Sequence, residues 1–192
     1  MSSCALVRAR AHTHTHTQRR TDGSIWFTDP DYGLRAGRHV TAYREKPLQK
    51  ANHVFRVQSG PDAKPSAKVE AMTADLHRPN GLCFSPDETL LYVADSGGLW
   101  GPTFDKDGAH HVMVFDVLDD GKQRKEGHCQ SRDCSCFTLL VTGCGLSSPR
   151  MFANVAVGIP DGIRCDERGN VWAACGDGIN VFAASTGRLI LR

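Results

Sequence analysis

The sequence predicts an all-β protein, a partial β-propeller of about three to four blades, each an antiparallel four-stranded sheet. Three observations carry this. Runs of four or five β-branched and aromatic residues alternate with Gly, Pro and Asp turns, as in an antiparallel meander. One pattern, an acidic turn followed by an aromatic-centred strand, recurs as Asp22-Gly23-Ser24-Ile25-Trp26-Phe27-Thr28, Asp87-Glu88-Thr89-Leu90-Leu91-Tyr92-Val93 and Asp166-Glu167-Arg168-Gly169-Asn170-Val171-Trp172. Helical periodicity of useful length is absent.

Residues 1–20 are expected to be disordered and of low complexity. Alternate histidines, His12, His14 and His16, share one face of an extended chain and could grip a metal, although nothing nearby orients their rings. Order is expected from Thr21, with the turn Asp22-Gly23-Ser24 leading into a strand over residues 25–28. Asp29-Pro30-Asp31-Tyr32-Gly33 closes that strand, and a charged loop runs to Lys50. Residues 52–57 form the next strand, and residues 68–76 hold a weaker one.

Arg78-Pro79-Asn80-Gly81 then places a polar Asn just before the strand Leu82-Cys83-Phe84. Pro79 restricts φ and Gly81 frees it, a backbone that can present the Asn80 carboxamide at a strand mouth. Residues 90–94 and 110–117 are the following strands. The last unit begins with Pro160-Asp161-Gly162, a second Pro-polar-Gly, and continues through strands at 163–165, 171–175, 179–182 and 188–191.

Spacing supports the repeat and marks an interruption. Trp26 and Tyr92 stand 66 residues apart, Tyr92 and Trp172 stand 80 apart, and a blade takes about 40 to 50. Residues 125–149 hold Cys129, Cys134, Cys136 and Cys144 without matching turn chemistry. They are read as an insertion, such as translated non-coding sequence, with a genuine cysteine-rich loop as the alternative. The propeller arc is thus assigned to residues 21–192 with this break.

Composition narrows the function classes. The chain of 192 residues carries a formal net charge of +2, and its Lys and Arg are scattered, which points away from nucleic acid and membrane surfaces. No run of about 18 apolar residues or secretory h-region is present, so a cytoplasmic location is the default expectation, and the arginines of the N-terminus resemble a transit peptide only slightly. The cysteine cluster lacks paired C-x2-C knuckles, which argues against a zinc scaffold, and Cys83, Cys165 and Cys175 read as small hydrophobes.

On the Asp22–Gly33, Arg78–Asp87 and Gly158–Trp172 motifs, the chain resembles the gluconolactonase/regucalcin-like family of six-bladed propellers, the senescence-marker-protein/gluconolactonase group. The resemblance implies a divalent metal, Ca²⁺ or Zn²⁺, at the channel mouth, with Asn80 and Asp161 as ligands and a sugar lactone as substrate. Oxygen donors suit such ions, and a bound metal would polarise the lactone carbonyl. Asp161 is also the candidate general base. Asp29, Tyr32 and Asp95 sit at strand ends and are candidates for lining the same mouth, with turn or packing roles as the alternative. A non-catalytic propeller module for binding or scaffolding is the alternative function.

The chain also departs from that pattern. No Glu-Gly-Pro segment precedes Thr21, and the place of a Pro-Asn-Asp segment before the Asp22 unit is taken by residues 12–20. On the family pattern further blades are expected beyond Arg192, and an open arc without them would leave sheet edges uncovered. The chain as written is therefore expected to bind Ca²⁺ or Zn²⁺ weakly and to turn over little. Calorimetry on the purified chain checks this, and tight binding would refute it.

Overall fold

Short strands with one residue per face per step, closed by acidic turns, can bury both faces only by stacking sheet on sheet. The computed structural model builds three such sheets and describes residues 16–32, 52–58, 69–73, 75–100, 103–104, 107–118, 145–147 and 149–192. Blade 1 is the meander β1 (Thr17–Arg19), β2 (Ile25–Asp29), β3 (His53–Val57) and β4 (Val69–Thr73). Blade 2 runs β5 (Pro79–Phe84), β6 (Leu90–Asp95) and β9 (His111–Leu118), with β10 (Gly145–Leu146) and β11 (Arg150–Asn154) sharing the outer edge of β9. A small hairpin, β7 (Leu99–Trp100) and β8 (Thr103–Phe104), projects between β6 and β9. Blade 3 is the meander β12 (Ile163–Cys165), β13 (Val171–Cys175), β14 (Gly178–Phe182) and β15 (Leu189–Leu191).

Two differences from the expected boundaries stand out. The first blade begins inside the stretch expected to be disordered: Thr17–Arg19 pairs with Ile25–Phe27, since backbone pairing at a sheet edge does not require an apolar run. Residues 1–15 lie outside the described residues. Most of the expected insertion at 125–149 lies outside them as well. Its described end is paired, with Gly145 opposite Leu118 and Leu146 opposite Val117, and Ser147 exchanging hydrogen bonds with Asp116.

The repeated acidic turn has one purpose in all three blades. Asp22 accepts the Ser24 N–H at 2.8 Å, Asp87 accepts the Thr89 N–H at 3.2 Å, and Asp166 accepts the N–H groups of Arg168 and Asn170 at 2.9 and 2.8 Å. Each carboxylate replaces water at the turn joining the two innermost strands of its blade. The turns of blades 1 and 2 are latched together, with Glu88 accepting from the Thr21 N–H at 2.9 Å and the Thr21 hydroxyl at 2.7 Å.

The core lies between the blades. β5 and β6 are buried on both faces, so successive residues serve different neighbours. Leu82, Phe84, Leu91 and Val93 pack with Trp26 and Val54 toward blade 1. Cys83, Tyr92 and Ala94 pack with Ile163, Val171, Ala173 and Phe182 toward blade 3. Cys83, Cys165 and Cys175 are free thiols, Cys83 fully in the core and the other two packed against it, as expected for small hydrophobes. Among the described residues no helix is long and apolar enough to cross a membrane.

Trp26 is the keystone of the first interface. It is 0% exposed, meets Phe84 edge-to-face at 5.5 Å, and its indole N–H donates to Ser24 Oγ at 2.9 Å. Trp26→Ala is expected to cost about 3–5 kcal/mol through the cavity and the lost donor. Urea unfolding followed by intrinsic fluorescence of the remaining aromatics measures it, and an unchanged midpoint would contradict the packing described.

Candidate functional site

The Pro79-Asn80-Gly81 segment is the first half of β5 itself, and the ladder slips there. Pro79 pairs with Asp95 and Leu82 with Val93, so three steps on β5 oppose two on β6. An extra residue in one strand is a β-bulge, which bends the strand and re-aims a side chain. Asn80 is consequently turned inward, only 4% exposed, and its Oδ1 is buried without a hydrogen-bond partner among the described residues. The sequence predicts a carboxamide at the strand mouth; the structure puts it there but enclosed, because the bulge carries it toward the neighbouring blades.

The equivalent motif of blade 3 shows the same irregularity. The Asp161 N–H donates to the Ala174 carbonyl at 2.8 Å, while the Ala174 N–H donates to the Gly162 carbonyl at 3.0 Å. Two residues thus share one opposite number. The two motifs meet directly, since the Gly81 N–H donates to the Asp161 carbonyl at 3.0 Å. A Cβ on Gly81 would stand 2.3 Å from that carbonyl oxygen and 2.7 Å from Ile163 N, so only glycine permits the approach.

Blade 1 closes the group. Thr28, 0% exposed, donates its N–H to the His16 carbonyl at 3.2 Å and its hydroxyl to the Asn80 carbonyl at 2.6 Å. The His16 ring then lies with Nε2 3.5 Å from Asp161 Oδ1. The Asp161 side chain is 58% exposed, so its carboxylate faces solvent.

Other predicted residues divide into roles. Asp95 is buried and accepts the N–H groups of His77 and Arg78, each at 2.8 Å. It holds the corner leading into Pro79 and does not open onto the mouth, because two backbone donors compensate its burial better than solvent at a crowded strand end. Asp29 is half-buried opposite His53, and burial raises its carboxyl above the ordinary range against the pull of the His53 charge. Burial pushes the Tyr32 phenol up to about 12, the nearby Arg78 charge opposes this, and the charges of Asp161 and Asp95 add to it.

Sequence reasoning missed two contributors, Arg78 and Ser96, and gave a third, His16, only as one of three alternating histidines with nothing to orient its ring. Arg78 Nε donates to Asp31 at 2.9 Å in an ion pair buried on both sides, tying blade 1 to blade 2. The Ser96 hydroxyl, fully buried, donates to the Pro160 carbonyl and ties blade 2 to blade 3. His16 belongs to the mouth although it sits in the histidine repeat. Arg78, Asp31 and Ser96 all fall inside the recurring motifs, but their partners are 47 and 64 residues away.

The donor set fits a divalent cation. Asn80 Oδ1 is a buried acceptor lacking a donor, and Asp161 supplies a negative oxygen with room beside it. No group of three His, Cys, Asp or Glu side chains converges for a metal among the described residues, so the carboxamide is essential to any such site. The depression lined by Asp166, Arg168, Trp172 and Ile190 lies at the other end of β12 and contributes nothing here.

Residues 17–192 match the family model described as SMP-30/Gluconolactonase/LRE-like region. A gluconolactonase of Zymomonas mobilis is 31% identical over 163 residues, covering 84% of this chain and 36% of its own length. A gluconolactonase of Xanthomonas campestris superposes with a TM-score of 0.58 at 31% identity, over 91% of this chain and 44% of its own. The calcium-binding protein regucalcin of Agrobacterium tumefaciens shares the fold, with a TM-score of 0.52 at 20% identity over 93% of this chain and 43% of its own. The chain therefore spans less than half the length of these relatives.

Alkaline pH should expose the burial of the tyrosines. Tyr32 and Tyr92 are both pushed up to about 12, chiefly by burial, whereas an unfolded tyrosine titrates near 10. The folded state retains protons that the unfolded chain releases, so this stability is complete below about pH 10 and is lost as pH rises toward about 12. Urea midpoints measured across that window should fall, and Tyr32→Phe should flatten the fall. Phenolate absorbance already complete near pH 10 in the native protein would show the assignment to be wrong.

Proposed function

This chain belongs to the SMP-30/gluconolactonase/LRE-like family, and we propose that it carries the site of a metal-dependent hydrolase of sugar lactones, at the mouth where Asn80 and Asp161 meet. The supporting observation is the pair of matched bulges joined by the Gly81–Asp161 backbone hydrogen bond, one motif carrying a buried carboxamide oxygen with no partner among the described residues and the other an exposed carboxylate. The relatives of 31% identity named gluconolactonase support the choice of a lactone as substrate. Neither feature is needed by a non-catalytic module.

Asn80 Oδ1 and the Asp161 carboxylate are the groups that would hold the ion, Ca²⁺ or Zn²⁺. When bound, such an ion supplies Lewis-acid polarisation of an ester carbonyl and stabilises negative charge on its oxygen. Asp161 accepts the proton of the attacking water through its solvent-facing oxygen, the general-base role open to an exposed carboxylate. Tyr32 stays a neutral donor throughout the physiological range and can orient a hydroxyl-rich substrate at the mouth. Asp29, half-buried, borders that mouth from the end of β2. Gly81, Thr28 and Ser96 hold the backbone around these groups and leave their side chains free of the reacting centre.

Asp161→Asn preserves shape and removes the charge and the base, and is expected to lower lactone opening by roughly a hundredfold or more. Asn80→Ala is expected to lower metal affinity along with turnover. A pH-stat assay on gluconolactone with circular dichroism as the folding control measures both. Full turnover by a folded Asp161→Asn chain would end the hydrolase reading.

A further inference from the structure

Resting on that reading, we infer that His16 is a third donor of the same site and that its nitrogen sets the metal preference, favouring Zn²⁺ and similar transition metals over Ca²⁺. The position of His16 is built rather than incidental. Its backbone is anchored by the Thr28 N–H at 3.2 Å, and the Thr28 hydroxyl holds the Asn80 carbonyl at 2.6 Å. Gly81 holds the Asp161 carbonyl from the other side at 3.0 Å. One buried threonine and one glycine thus gather His16, Asn80 and Asp161 from three different blades.

The His16–Asp161 distance is informative. At 3.5 Å, Nε2 and Oδ1 are further apart than a good N–H···O bond of about 2.7–3.2 Å. Two ligand atoms at about 2.0–2.1 Å from a shared tetrahedral ion stand roughly 3.3–3.4 Å apart. The pair therefore has a loose ion-pair separation that also matches two ligand atoms of one ion lying to the side of the line joining them. The Gly162 backbone leaves room for the ring: a Cβ added there would meet His16 Cε1 at 3.5 Å. Asn80 Oδ1, buried and without a hydrogen-bond donor among the described residues, is the independent observation of an acceptor suited to a cation.

The chemistry of the donors gives the preference. An all-oxygen set suits a hard cation such as Ca²⁺, which also wants six to eight ligands. An imidazole, a carboxylate and a carboxamide make a small mixed set, which suits Zn²⁺, Co²⁺ or Ni²⁺ and leaves a position for water or substrate.

The test uses the purified, metal-free chain without an affinity tag, in a His12→Gln/His14→Gln background so that neighbouring imidazoles do not compete. Calorimetric titrations with ZnCl₂ and CaCl₂ give the affinity ratio, and the Co²⁺ absorption spectrum reports nitrogen ligation independently. Zn²⁺ is expected to bind at least about tenfold more tightly than Ca²⁺. His16→Gln should lower Zn²⁺ affinity about ten- to a hundredfold, leave Ca²⁺ within about threefold, and alter the Co²⁺ spectrum. His16→Asp, a second variant, should shift the ratio toward Ca²⁺. If His16→Gln changes neither metal, or both equally, while Asp161→Asn abolishes both, the inference about His16 falls and the site reading stands. If the parent chain binds neither ion, or Asp161→Asn and Asn80→Ala bind both as well as the parent does, the metal reading falls too.

Discussion

The arrangement depends on one close approach, the meeting of β5 and β12 backbone to backbone at Gly81 and Asp161. Inner strands of neighbouring blades converge toward a common axis, so side chains there have progressively less room. A hydrogen bond of 3.0 Å between adjacent sheets is possible only where a Cβ is missing, since one would stand 2.3 Å from the carbonyl oxygen. The bulges in both strands follow from the same crowding. They take an extra residue out of the ladder and turn Asn80 toward the axis, while Asp161 stays open to solvent.

Carboxylates show how one residue type is divided between architecture and chemistry. Asp22, Asp87 and Asp166 saturate themselves on turn N–H groups at the end of the blades away from the mouth. Asp95 does the same at the mouth end, and Asp31 neutralises a buried Arg78. Backbone donors and a guanidinium satisfy these acids, which ties them to structure. Asp161 differs in having its side chain more than half exposed and a histidine nitrogen rather than an amide beside it. Its availability follows from the others being occupied.

Much of this was legible in the chain. The acidic-turn repeat marks the joint between the two innermost strands of each blade. Pro79-Asn80-Gly81 and Pro160-Asp161-Gly162 were recognisable as equivalent positions because the same bulge needs the same residues. The start of blade 1 was not legible: Thr17-Gln18-Arg19 carries no apolar signal, and its strand state is imposed by pairing with Ile25–Phe27. Asp95 looked like a mouth residue because its place at a strand end does not reveal the two N–H groups that enclose it.

The sequence by itself determined the fold class and the repeat, and singled out Asn80 and Asp161 as equivalent polar positions, because turns and strand periodicity act between residues a few positions apart. Only the tertiary structure decided which groups meet: Arg78 with Asp31, Ser96 with Pro160, Thr28 with both His16 and Asn80, and His16 with Asp161. Those contacts join different blades, and their geometry is set by how sheets pack about the axis rather than by any local preference. The histidine at position 16 shows this most plainly, a member of a dipeptide repeat in the chain and a neighbour of Asp161 in the folded protein.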